Sequence, residues 1–113
     1  MATIQASGTQ AASVGTEQTL ADLTSPFAVF QLIVNVNAMQ AGDVTNLRIY
    51  TKVLASDTIA NCSALYQQIS GAPTGNGDQI YLSLPVVSDQ EIRFTIQQIA
   101  GTAKSYPWKV VSF

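Results

Sequence analysis

The sequence predicts an all-β protein, a two-sheet antiparallel sandwich with jelly-roll-like topology and about seven or eight strands. Three observations carry this. Apolar residues recur with period two, not the helical 3.6, through most of the chain. The same runs are rich in β-branched and aromatic residues, which suit a pleated, half-buried surface. Turn residues interrupt them at a spacing of about ten. A length of 113 residues fits one domain. We read residues 15–113 as that single β-sandwich domain and 1–14 as an N-terminal arm or edge strand.

Ile4–Val14 is small and polar with weak alternation, and Gly8 sits inside it. It suits an edge strand, or an arm added to a neighbour's sheet through main-chain hydrogen bonds. Glu17–Leu23 is a short strand carrying Leu20 and Leu23, closed by Ser25-Pro26. Phe27–Asn37 is a central strand. One parity (Ala28, Phe30, Leu32, Val34, Val36) is wholly apolar, and the other (Phe27, Val29, Gln31, Ile33, Asn35) is mixed. Gly42-Asp43 breaks the chain before Val44–Leu54, where Leu47, Ile49 and Val53 alternate with Arg48, Tyr50 and Lys52. After Ser56-Asp57, Thr58–Ser70 reads as a strand, with a helical turn as the alternative. Gly71–Asp78 is a loop by composition. Ile80, Leu82, Leu84 and Val86 then share a parity, and Pro85 marks an edge or an end. Ile92, Phe94 and Ile96 alternate with Glu91, Arg93, Thr95 and Gln97. Lys104–Phe113 closes the fold, with Tyr106, Trp108 and Val110 on one side and Lys109, Val111 and Phe113 on the other. The expected core is Phe30, Leu32, Val34, Leu47, Ile49, Val53, Leu82, Leu84, Ile92, Phe94, Ile96, Trp108 and Val110.

Composition narrows the chemistry. The chain has no His, so Ser-His-Asp and Cys-His sites are excluded, as are His-containing zinc sites. A single Cys, Cys62, excludes an intrachain disulfide and multi-Cys metal sites, and it reads as a small buried hydrophobe. Gly75-x-Gly77 lacks the following helix and the Lys-Ser/Thr of a phosphate loop and reads as a plain hairpin loop. Asp57, Asp78, Asp89 and Glu91 do not have calcium-loop spacing, and Asp43, Asp57 and Asp89 sit where strands turn. Tyr106 and Trp108 around Pro107 read as closing the core in preference to forming a sugar platform. No catalytic, cofactor or metal residue is expected, and no enzyme. Charged residues are 11% where about 25% is usual. Five basic against seven acidic residues leave little with which to neutralise phosphates, so nucleic acid is not an expected partner. Nor is a membrane: Phe27–Val36 is too short and is interrupted by Gln31 and Asn35. With no export signal and one unpaired cysteine, synthesis in a reducing cytoplasm is expected. Gln (11), Thr (11), Ser (10) and Asn (5) replace the missing charge. Such a polar but weakly charged surface suits packing against other subunits. The apolar residues on the second parity (Phe27, Val29, Ile33, Val111, Phe113) likewise call for a cover beyond the sandwich.

Three segments carry a family resemblance: Gly15–Ala21 (GTEQTLA), Met39–Leu54 (MQAGDVTNLRIYTKVL) and Phe94–Val110 (FTIQQIAGTAKSYPWKV). The pattern resembles a group of small tailed-bacteriophage virion proteins encoded among head genes. Some of these are similar to jelly-roll decoration, or cement, proteins that bind the outside of the capsid. The resemblance covers most of the chain after Gly15. Its motifs are strands and turns with no catalytic member, so no site residue is carried over. It implies a homo-oligomeric structural protein of the virion, made in the host bacterial cytoplasm and bound to the major capsid protein of a phage head. The runner-up class is a receptor- or glycan-binding module of a tail fibre, and an enzyme is the most distant.

Overall fold

A computed structural model describes residues 3–24, 28–61, 67–71, 80–88 and 90–113. Its strands are β1 (Thr3–Ala11), β2 (Gln18–Thr24), β3 (Ala28–Asn35), β4 (Val44–Thr51), β5 (Ala60–Asn61), β6 (Gln67–Ser70), β7 (Ile80–Leu82), β8 (Val86–Ser88), β9 (Glu91–Ala100) and β10 (Ser105–Ser112). They form two sheets. In the first, here the β1 sheet, the order is β1-β10-β3-β7, and β8 also lies on β3. In the second, the β2 sheet, the order is β2-β9-β4-β5, and β6 also lies on β4. Every pairing is antiparallel. Because β5 and β6 share one place and β7 and β8 another, the ten segments fill eight positions. The first position pairs with the last, the second with the seventh, the third with the sixth and the fourth with the fifth. That is one long hairpin rolled over on itself, the jelly roll that the strand count suggests.

The clean alternation of the long strands explains the core. Phe30, Leu32 and Val34 from β3 meet Leu47 and Ile49 from β4 and Ile92, Phe94 and Ile96 from β9, each at most 2% exposed. Tyr106 and Val110 from β10 join them at 0%. Full burial of such side chains stabilises by about 1.5–3 kcal/mol each. A bulge in β2 lets two consecutive residues, Leu20 and Ala21, both turn inward. At one end of the core the inward parity of β9 continues into a polar residue, Gln98, which is 0% exposed. Its amide donates to the carbonyls of Ala100 (3.1 Å) and Thr102 (2.7 Å), and its oxygen accepts from Lys104 N (3.2 Å) and Tyr106 OH (3.0 Å). Since the Tyr106 proton goes to Gln98, the Thr45 hydroxyl is the donor in its 3.1 Å contact with Tyr106. This network fixes the β9–β10 turn.

Three core expectations are overturned. Val53 is 82% exposed, because β4 ends at Thr51 and the chain turns, with Leu54 N donating to Asp57 Oδ2 at 2.8 Å. Leu82 and Leu84 are 57% and 66% exposed. Here the parity flips. Leu82 lies opposite Ile33 and Val86 opposite Phe30, so the chain takes one residue more between them than β3 does. An extra residue sends the preceding apolar set to the other face. Ser83 repairs the break: it is buried, its N–H donates to Leu32 O and its hydroxyl accepts from Leu32 N, both at 2.9 Å. Tyr81, not Ile80 or Leu82, packs against the core. Trp108 is half-buried and not a full core member. The single strand expected over Thr58–Ser70 is described as β5 and β6 only. Phe27, Cys62, Gly75, Gly77, Asp78 and Asp89 lie outside the described residues.

Candidate functional site

The two sheets turn very different outer faces to solvent. The strands of the β2 sheet and the residues adjoining them carry Glu17, Asp22, Arg48, Lys52, Glu91 and Arg93, half of the chain's charged residues. Alternation places the Arg, Lys and Tyr50 outward, as the sequence indicates. Glu17 is the hub. It accepts from Tyr50 OH at 2.5 Å and Thr95 Oγ1 at 2.6 Å, and Arg48 lies 3.7 Å away. Partial burial pushes the Glu17 carboxyl up. The bonds from Thr95 and Tyr50 and the charges of Arg48 and Arg93 outweigh it, and the group titrates below its ordinary 4.5. Burial, reinforced by the Glu17 carboxylate, pushes the Tyr50 phenol up. Arg93 pairs with Asp22 (3.0 Å) and Glu91 (3.6 Å), and Lys52 with Glu91 (3.6 Å). Glu17, Thr19, Tyr50, Arg93 and Thr95 border a shallow polar cavity of about 200 Å³. Its one carboxylate, Glu17, is engaged with a cation and two hydroxyls. No group of three or more metal-ligating side chains occurs among the described residues.

The outer face of the β1 sheet carries an exposed apolar cluster, bordered by the polar Ser7, Thr9, Gln31 and Asn35. Ile80 stands beside Asn35, Leu82 beside Ile33, and Val87 beside Val29. Ile4 lies across from Val111, and Phe113 N bonds Val29 O at 3.0 Å. Ile4, Ile80, Leu82, Leu84, Val87 and Phe113 are each at least half exposed. Lys109 is the one charged side chain on this face among the described residues. A cavity of about 230 Å³, edged by Ile33, Ile80 and Pro107 together with the polar Ser7, Asn35 and Lys109, indents it. Exposed apolar patches of this kind mark contact surfaces. Of the surplus that the sequence points to, Phe113 is exposed, Val29 and Ile33 are half-buried, and Val111 is already covered by the chain itself at 8% exposure. The larger share, from β7 and β8, is hidden from a reading of parity because of the extra residue at Ser83–Pro85.

The remaining flagged residues have structural roles. Asp43 is 2% exposed, and its carboxylate accepts from Gln40 N (2.9 Å) and Thr102 N (3.0 Å) and pairs with Lys104 (3.1 Å). The Gln40 N–H, with Lys104 and Thr102 beside it, outweighs burial and holds this carboxyl below its usual range. Asp57 caps its turn as expected. Glu91 is tied to cations. Tyr106 is fully buried and Trp108 half-buried, so they form no exposed aromatic platform. Sequence reasoning missed Gln98, although it is the polar residue that continues the inward parity of Ile92, Phe94 and Ile96.

No family model matches the chain, and no curated protein is similar to it. A chain in the structure of infectious bursal disease virus, Gx strain, is similar in fold. The TM-score is 0.53 at 13% identity, over 100% of this chain and 32% of that one. The shared property is the fold. This chain spans 32% of the length of the viral chain it matches.

Proposed function

We propose that the protein is a structural component of a virus particle: a decoration, or cement, protein that binds the outer surface of a bacteriophage head and stabilises it. Its partner on this reading is the major capsid protein, its location is the virion, and it works as a homo-oligomer without enzymatic activity. The observation that carries the reading is the exposed apolar cluster on the outer face of the β1 sheet, set opposite a β2 sheet whose outer face is charged and internally paired. Such a molecule has one face to bury and one to show to water. A jelly roll similar in fold to a chain of a virus structure supports the class, and so does the resemblance to small phage virion proteins.

Four of the five basic side chains, Arg48, Lys52, Arg93 and Lys104, sit in ion pairs with carboxylates. That leaves a poor surface for phosphates and supports a protein partner. Among the described residues no helix is long and apolar enough to cross a membrane. A second reading, a receptor- or glycan-binding module of a tail fibre, draws on the polar cavity around Glu17 and Tyr50. Co-expression with the major capsid gene of the same genome tests both. The first expects many copies per purified head and heads that resist heat better. Absence from heads would overturn it, and a few copies on tails with retention on a glycan column would favour the second.

A further inference from the structure

The strand edges of the fold are not equally protected. Natural edges are blunted by charge, proline, shortness or bulges. At the edge of the β2 sheet, β2 carries Asp22, and at the far edges β5, β6, β7 and β8 run two to four residues among the described residues. Pro85 also separates β7 from β8. β1 is different. It runs nine residues, TIQASGTQA, with neither charge nor proline, and its bulge at Gln5 leaves Ala6–Ala11 regular.

The direction of its free hydrogen-bonding groups follows from one contact. Ala12 N donates to Lys104 O at 2.9 Å, so the main chain of Ala12 faces the β10 side. Main-chain groups alternate along a strand, so those of Ala11, Thr9 and Ser7 face away from β10. Two further observations agree. The Ala11 carbonyl is taken by side-chain amides, those of Gln10 and Gln18, both at 3.1 Å. The residue opposite Thr9 is Pro107, which has no N–H to offer. Ser7 and Thr9 therefore present an uncapped edge.

We propose that this edge pairs with β1 of a second copy, antiparallel about a two-fold axis through Gly8. Ser7 of one copy and Thr9 of the other then exchange main-chain hydrogen bonds, and Gly8 faces Gly8. Strand neutrality selects a second copy as the occupant. Self-pairing across a two-fold sets every residue near the images of its own neighbours, and like charges placed so destabilise the pair. β1 has none. The union makes one continuous sheet from the two β1 sheets and turns their outer faces to the same side, with Ser7 and Thr9 of both copies at the seam. The inference does not depend on the capsid reading, because it concerns the protein alone.

The test is the association state of the full chain by sedimentation across a wide concentration range, with Thr9→Pro as the discriminating variant. Proline there removes an N–H that faces the free edge and leaves the β10 ladder intact. A wild-type dimer and a Thr9→Pro protein with native circular dichroism and at least about tenfold weaker association are expected. A wild type that stays monomeric throughout overturns the proposal, as does a Thr9→Pro protein that dimerises like wild type. Should Thr9→Pro not fold, Gly8→Cys in a Cys62→Ser background decides. A Cβ at Gly8 meets the Trp108 ring no closer than 3.5 Å, and facing Cα atoms at about 4.5 Å lie within disulfide range. Oxidation is expected to give a covalent dimer. Failure to cross-link overturns the pairing.

Discussion

Replacing Leu82 by Lys separates the flipped register of β7 from the register that simple alternation suggests. In the alternation reading Leu82 is core, and a lysine there carries an unpaired charge into an apolar interior at several kcal/mol or more. With total stabilities of about 5–15 kcal/mol, that abolishes soluble folding. In the structure Leu82 lies beside Ile33 on the outer face and is 57% exposed. Less than half of a leucine's burial is at stake, and full burial is worth about 1.5–3 kcal/mol. The loss is therefore expected to be about 1 kcal/mol or less, and the lysine stem recovers part of it by lying along Ile33. Urea unfolding followed by circular dichroism measures it, with Leu32→Lys as the buried control at 0% exposure. A Leu82→Lys protein destabilised by more than about 3 kcal/mol, or as insoluble as Leu32→Lys, would refute the register drawn here.

Other expectations follow from the same packing. Ile96→Asp, at a position 0% exposed, is expected to abolish soluble folding, read as loss of the protein from the soluble fraction. Gly101→Ala places a side chain at φ +90° with its Cβ against the Asp43 carboxylate and 2.7 Å from the Asp43 Cα. The conformation alone costs about 1–2 kcal/mol, and the displaced carboxylate adds to it, so a melting temperature lower by several degrees is expected. Asp43 and Glu17 both titrate below their ordinary values of 3.8 and 4.5. Their contribution is complete above those values and is lost as pH falls through the lowered ones, so stability is expected to drop below about pH 4. Asp43→Asn is expected to lower stability at pH 6 more than at pH 3, and equal loss at both would contradict this.

The fold was legible because its long strands alternate without interruption. Glu91–Ala100 states its inward face residue by residue, down to the buried Gln98. β3 and β4 do the same until β4 meets the turn at Val53, where apolar character no longer reports burial. The candidate contact surface was legible only in part. Val29, Ile33, Val111 and Phe113 stand on the second parity of strands whose first parity is already core, and that surplus is visible in the sequence. The contribution of Ile80, Leu82 and Leu84 is not. One extra residue between Leu82 and Val86 reverses their direction, and Ser83, which repairs the break through Leu32, looks like any outward serine until β3 is placed beside it. The charge hub assembles from Glu17, just before β2, and from β4 and β9, which no local pattern links.

A cryo-electron microscopy reconstruction of phage heads carrying the protein bears on the proposed role with the least intervening argument. The expected image has the outer face of the β1 sheet, with Leu82, Val87 and Phe113, buried against the capsid shell, and the Glu17–Arg93 face turned to solvent. Heads on which the charged β2 face meets the shell while Leu82 and Val87 stay exposed, or heads with no bound copies, would contradict it.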